Sequence, residues 1–262
     1  MFPYRTRFTK DIVTEFLPPS LKLRRTSPPS RKTKKVKVAI ICGGFPSVPS
    51  KGRQLSFFAK RGYWAFYPRY RGTWESGGTF LKLSPDNDIL GIVRQLPKGF
   101  KTFNGKTHRI RPSAVHLFAS SFGGAAAILA SRDARVTKVV ACSPVVDWLK
   151  NRPRGGFDPE MKLDYIRHDF GSAYRVSQAG MARLRKGAFF NPAAHIKSVD
   201  GRKLLIIHAE DDTSVYWKPV AQFAKAVGAT LMLRKRGGHF STSILLKPAM
   251  DTRIKAFLRT ST

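Results

Sequence analysis

Cysteine is nearly absent from this 262-residue chain: there are two, Cys42 and Cys142. That is too few for a disulfide framework or a cysteine-based zinc site. Acidic residues are scarce too, 16 against 48 lysines and arginines, which leaves a formal charge of +32. No apolar run approaches the ~18 residues that a membrane-spanning helix needs. The start, Met1-Phe2-Pro3-Tyr4-Arg5, lacks the apolar stretch and small-residue cleavage site of a secretory signal. No internal repeat is detectable, which argues against a solenoid. Charged residues still make up an ordinary 24% and apolar ones 42%, so the chain is not a disordered polar one. The expectation is a globular, cytoplasmic protein with no membrane partner.

The excess of positive charge predicts weak, nonspecific polyanion binding. The densest run, Arg31-Lys32-Thr33-Lys34-Lys35-Val36-Lys37, resembles a nuclear-import or nucleic-acid patch, but it is equally a basic linker entering a strand. No zinc-finger spacing, aromatic RNA-binding signature or helix-turn-helix pattern accompanies it. Charge alone does not give the function.

Residues 1–35 form a basic, Pro-rich segment with two similar turns, Leu17-Pro18-Pro19-Ser20 and Ser27-Pro28-Pro29-Ser30. Short edge strands, such as one from Ile12 to Leu17, are the most this segment supports. From Val36 onward, apolar runs of about five residues alternate with helical patterns. Strands are expected at Val36–Cys42, Tyr63–Tyr67, Val115–Ala119, Lys138–Ala141, Leu204–His208 and Thr230–Leu233. Helices are expected near 50–61, from a Ser84 cap through Leu96, at Gly123–Ser131, at Trp217–Val227 and near 249–258. This order predicts a mostly parallel central sheet with helices on both faces, in one domain spanning 36–262. The stretch 147–200 breaks the rhythm and is expected to be a small lid insertion.

Strand 115–118 runs into Ala119-Ser120-Ser121-Phe122-Gly123-Gly124 and then a small-residue helix. That is the layout of a nucleophile elbow, with Ser121 at the apex and small residues two positions either side. Phe122 is placed to supply an oxyanion-hole N–H, and Gly44 a second, with Phe45 in reserve. A nucleophilic serine needs a base and an orienting carboxylate. Glu210-Asp211-Asp212 follow one strand end, and Gly237-Gly238-His239 follow the next. Asp147, past an earlier strand, is an alternative acid.

These residues resemble the α/β-hydrolase superfamily, and within it the catalytic domain of the prolyl oligopeptidase family. Cys42-Gly43-Gly44-Phe45 is similar to that family's His-Gly-Gly-Pro loop, with Cys and Phe replacing His and Pro. Phe58-Ala59-Lys60-Arg61-Gly62-Tyr63 and Pro68-Arg69-Tyr70-Arg71-Gly72 resemble its "ARGY" and "YRG" segments. Ser121-Phe122-Gly123-Gly124 matches its elbow, and Ser143-Pro144-Val145-Val146-Asp147-Trp148 its "SPVTDW" stretch. His208-Ala209-Glu210-Asp211-Asp212-Thr213-Ser214-Val215 matches H-G-x-x-D-x-x-V, which places the triad acid on Asp212.

The resemblance implies an α/β-hydrolase fold and a serine hydrolase with catalytic Ser121, Asp212 and His239, free of metal and cofactor. Its substrate would be a small ester or short peptide, cleaved through an acyl-enzyme. The 262 residues have no room for the propeller that gates peptides in that family, so a carboxylesterase without peptidase activity is the alternative. A basic polyanion-binding protein on a degenerate hydrolase scaffold is the reading from another class. Glu75 is a candidate anchor for a substrate amine. The family's strand order puts the elbow strand between those ending in Cys42 and Cys142. Two strand spacings are ~9.5 Å, beyond the ~7 Å limit for a bridge, so both thiols are expected free.

Overall fold

A computed structural model describes residues 3–20, 36–152 and 158–260. The turn at 27–30, the basic residues 31–35 and part of the expected lid, 153–157, lie outside the described residues. Strands β1 (Tyr4–Phe8) and β2 (Ile12–Leu17) come first, followed by β3 (Lys37–Cys42), α1 (Gly52–Ala59), β4 (Tyr63–Pro68) and α2 (Asp86–Gln95). A hairpin of two-residue strands, β5 (Phe100–Lys101) and β6 (Thr107–His108), leads to β7 (Ala114–Ser120), α3 (Phe122–Ala130) and β8 (Lys138–Cys142). Then come α4 (Pro159–Phe170), α5 (Gln178–Ala182), β9 (Leu204–Ala209), α6 (Trp217–Val227), β10 (Thr230–Arg234) and α7 (Pro248–Arg259).

Eight strands form one sheet in the order β1-β2-β4-β3-β7-β8-β9-β10. From β4 to β10 every neighbouring pair is parallel, whereas β2 runs antiparallel to both β1 and β4. The amino-terminal segment therefore extends the same sheet. Strands β7, β8 and β9 are buried almost throughout, as expected for a parallel sheet covered on both faces. Alternation along β3 shows the two layers. Val38 and Ile40 join a cluster with Ile89 and Ile92 of α2 and Ile128 of α3. Ala39 and Ile41 join another with Leu55 and Phe58 of α1 and Ile254 of α7.

Two local expectations need correction. Ser84 does not cap the backbone of α2: its hydroxyl bonds the Asp86 carboxylate, and the helix begins at Asp86 behind Pro85. Of the short edge strands expected before residue 36, β2 (Ile12–Leu17) proves internal, paired with β1 on one side and β4 on the other, and β1 is the edge; the β5–β6 hairpin was not expected. In β1, buried Thr6 and Phe8 alternate with exposed Arg5 and Arg7, so half of the strand's pattern is polar. Cys42 and Cys142 are free and buried, with β7 paired between their strands. Burial pushes both thiols well above the ordinary cysteine range.

The fold gathers loops at one edge. Parallel strands β3, β7, β8, β9 and β10 all end on the same side, so the segments after them meet there. The stretch 147–200 adds α4 and α5 with short 3-10 turns, and Lys162, Tyr165 and Phe170 of α4 border the cavity at that edge. Among the described residues, no helix is long and apolar enough to cross a membrane.

Candidate active site

Ser121 sits between β7 and α3 with φ 52° and ψ −123°. A non-glycine residue with positive φ is strained by about 1–3 kcal/mol. Three backbone hydrogen bonds hold it there. The Ser121 N–H donates to the Cys142 carbonyl (3.0 Å), and its own carbonyl accepts from Gly124 (2.9 Å) and Val145 (3.1 Å). At about 1 kcal/mol net each, such bonds suffice to offset the strain.

The tight turn also dictates its glycine. A Cβ at Gly123 would lie 2.3 Å from the Cys42 carbonyl oxygen and 2.4 Å from that of Gly43. The loop after β3 thus lies directly against the elbow. A Cβ at Gly44 would come 3.5 Å from the Ser121 Cβ, so the backbone of Gly44 borders the serine closely. Among the described residues, no protein acceptor takes the backbone N–H of Gly44 or Phe45. Phe122 is the first residue of α3, where an N–H has no acceptor within the helix. The Phe45 ring packs among Phe80 (4.9 Å between centroids), Tyr174 (5.2 Å) and Phe122 (5.5 Å), which fixes the loop.

Asp212, just past β9, is buried and fully engaged. Its Oδ1 accepts the N–H groups of Ser214 and Val215, both at 2.9 Å. His239 Nδ1 lies 2.8 Å from Oδ2 and 3.1 Å from Oδ1. Burial favours the neutral acid, but the bonds from His239, Val215 and the Ser143 hydroxyl outweigh it and hold the carboxyl below its ordinary range. Asp212 is accordingly a carboxylate at neutral pH.

The neighbouring Asp211 does something different. Exposed, it accepts the N–H groups of Gly237 (3.1 Å) and Gly238 (2.8 Å), tying down the loop that presents His239. These two bonds hold the carboxyl of Asp211 below the usual value. Gly238 needs its φ of 61° to make the bend. Asp147 is turned elsewhere, accepting the Leu149 N–H at 2.9 Å. Of the three aspartates considered, only Asp212 meets the imidazole.

Two further residues surround this pair without having been singled out from the sequence for it. Ser143, fully buried with φ 44°, accepts the Phe240 N–H at 3.0 Å and hydrogen-bonds Asp212. His208, equally buried, has Nε2 at 3.0 Å from the Val215 carbonyl and 3.5 Å from Asp212 Oδ2. Burial keeps this imidazole neutral by lowering its pKa. Both lie in the segments that carried the family resemblance, at Ser143-Pro144-Val145 and at the start of His208-Ala209, and that was the only signal for them.

Ser121 and His239 border one open cavity of about 640 Å³, together with Gly44, Phe45 and Phe122. No hydrogen bond joins Ser121 to His239 among the described residues. Ser120 borders the same cavity. Glu75 does not: Arg69 and Arg5 hold its carboxylate at 2.5 and 3.4 Å, so it is spoken for as an ion-pair partner.

Comparison with known proteins agrees with this architecture. Across 98% of its length the chain matches a Pyrococcus furiosus esterase at a TM-score of 0.65, with 16% identity and 88% of that chain covered. An alpha/beta hydrolase from Penicillium matches at 0.65 over 95% of this chain and 93% of its own, with 14% identity. The acylaminoacyl peptidase of Pyrococcus horikoshii matches at 0.60 with 16% identity, over 98% of this chain but only 40% of that one. At such identities the likeness is one of fold. No curated protein matches the chain closely enough to count as a relative. The sequence model of the alpha/beta hydrolase family matches residues 41–249, well over half of the chain, and the protein belongs to that family.

Proposed function

We propose that the protein is a serine hydrolase that cleaves a carboxylic ester, or a short acyl-amide or peptide bond, through an acyl-enzyme. The observation that carries this reading is the Asp212–His239 pair at 2.8 Å, facing the cavity bordered by Ser121 on its strained elbow. With Nδ1 turned to an ionised carboxylate, the imidazole keeps its proton there and leaves the Nε2 lone pair free. Ser121 is the nucleophile. Its Oγ attacks the carbonyl carbon while His239 Nε2 takes the hydroxyl proton. The oxyanion that forms accepts the N–H groups of Phe122 and Gly44, with Phe45 the alternative second donor. Imidazolium then protonates the departing alcohol or amine. Water attacks the acyl-enzyme with His239 again as base, and the free acid leaves. Every proton in this cycle moves between Ser121, His239, substrate and water, so the steps call on no metal or organic cofactor.

Ester cleavage is favoured over aminopeptidase-like cleavage by the cavity lining. No aspartate or glutamate borders it among the described residues, so no carboxylate there would pair with the free amino terminus of a peptide. The stretch 147–200 takes the part of a lid, since α4 supplies one wall.

A fluorophosphonate probe tests the reading. It should label one site per chain, mapping to Ser121, and Ser121→Ala should abolish labelling and ester hydrolysis together. Ser120→Ala, one residue earlier, should leave both measurable. Failure of the folded protein to be labelled would overturn the hydrolase reading in favour of a binding scaffold.

A further inference from the structure

The cavity beside Ser121 has a chemical bias. Three cations border it, Lys51, Arg152 and Lys162, and no carboxylate among the described residues does. None of the three forms an ion pair among those residues, although most aspartates and glutamates of the fold are bound to an arginine or lysine elsewhere. Lys51 and Lys162 are half-buried. Each ammonium lies over aromatic surface: Lys162 Nζ is 4.5 Å from the Tyr165 centroid and 5.7 Å from that of Phe45, and Lys51 Nζ is 6.0 Å from Tyr67.

Two ring contacts link Lys162 to the elbow, because Phe45 in turn packs 5.5 Å from Phe122. Burial lowers the pKa of both lysines, and for Lys162 the charge of Arg152 adds to the effect. Among the described residues both lysines are partly desolvated and without a counter-charge. An anion entering the cavity supplies it. Phe45, Val48, Tyr165 and Phe170 give the wall an apolar part, beside polar groups such as Gln54, Asn151 and Thr213.

We infer that the preferred substrate is an amphiphilic ester bearing a second anionic group, a carboxylate or phosphate, which Lys51 and Lys162 bind while the apolar body lies on the cavity wall. The inference rests on the hydrolase reading above and narrows it to a substrate class. The overall charge of +32 attracts any anion to the surface. The local claim is that these two lysines, and not the general field, create the preference.

The test compares three esters under identical salt: p-nitrophenyl butyrate, its acyl-side anionic counterpart p-nitrophenyl hemiglutarate, and the butyryl ester of 4-hydroxybenzoate, which carries the anion on the leaving side. At least one anionic ester should exceed the neutral one in kcat/KM, after correction for the uncatalysed rates, by about 10-fold, equivalent to ~1.4 kcal/mol. Which one does so tells on which side of the scissile bond the lysines act. The Lys51→Met/Lys162→Met double variant should bring the ratio of anionic to neutral rates close to one. Lys98→Met/Lys225→Met removes the same charge from exposed positions outside the cavity, and should keep the ratio.

Hydrolysis of the neutral ester with no anionic preference overturns this inference and leaves the hydrolase reading standing. An equal fall in the ratio for both double variants overturns it too, because the field of the whole molecule would then be the cause. If no ester is cleaved and Ser121 is unlabelled, the hydrolase reading fails and the substrate inference falls with it. Binding of glutarate that both double variants retain would likewise exclude the lysines as the anion site.

Discussion

Asp211 and Asp212 are adjacent in the chain and share a side-chain type, yet their surroundings assign them different tasks. Asp212 is sealed beneath His239 with four hydrogen-bond donors around it, whereas Asp211 is exposed and grips two glycine N–H groups. In the mechanism above, Asp212→Asn should lower kcat by about 10⁴-fold with the fold intact, because the amide no longer enforces the Nδ1–H tautomer. Asp211→Ala should cost only about tenfold or less, through looser placement of the His239 loop. A larger loss for Asp211 than for Asp212 would reverse the assignment. A pH series gives an independent readout. The Asp212 carboxyl is depressed, so its contribution to stability is present above the unfolded value near ~3.9 and is lost as pH falls below it. Acid unfolding of Asp212→Asn should therefore lack the part of the stability loss that wild type shows below about pH 4.

At the scale of elements, what is legible in the sequence is whatever local composition decides. Strands β3, β7 and β9 are short apolar runs closed by glycine or a polar loop, and the α3 elbow is a serine among residues too small to clash. The order of strand-end loops was enough to nominate Ser121, His239 and the run Glu210-Asp211-Asp212, the family resemblance singled out Asp212, and the fold sets Asp212 and His239 side by side. What depends on distant segments meeting was illegible. Lys162 borders the cavity only because α4 folds back over it, and α4 buries no more than Leu163 and Ile166 to do so. Ser143 reaches Asp212 only because β8 and β9 lie side by side. Gly123 shows both kinds of information: its small size is visible in the sequence, but the reason is the carbonyl groups of Cys42 and Gly43. Gly123→Ala should destabilise the protein by about 3 kcal/mol or more, since backbone must move to admit the methyl group. Gly62→Ala, with positive φ but no atom nearby, should cost only about 1–2 kcal/mol in the same denaturant titration.

Over the whole molecule the excess charge has a consequence independent of the cavity. With 48 cationic side chains and 16 anionic ones, internal pairing cannot neutralise the surface, even with Asp11, Glu15, Asp86 and Asp251 each engaged by arginine. Such a surface releases counterions when it meets a polyanion, so binding should be weak, with Kd of about 10⁻⁴–10⁻⁶ M at physiological salt, and steeply salt-dependent. It should also be blind to sequence, because the chain shows no base-reading motif and a charged surface meets only phosphate. Fluorescence anisotropy with two duplexes of unrelated sequence checks this. Both should bind alike at 50 mM salt and lose about 10³-fold in affinity or more by 200 mM, if six or more phosphates are contacted. A marked preference between the duplexes, or affinity that survives the added salt, would mean that specific contacts supply the binding. The same titration, run while ester hydrolysis is followed, separates surface from site. A duplex is too wide to enter a cavity of about 640 Å³, so binding at the general surface should leave turnover of the neutral ester unchanged. Inhibition that tracks duplex occupancy would instead place the polyanion across the cavity mouth, at Lys51 and Lys162.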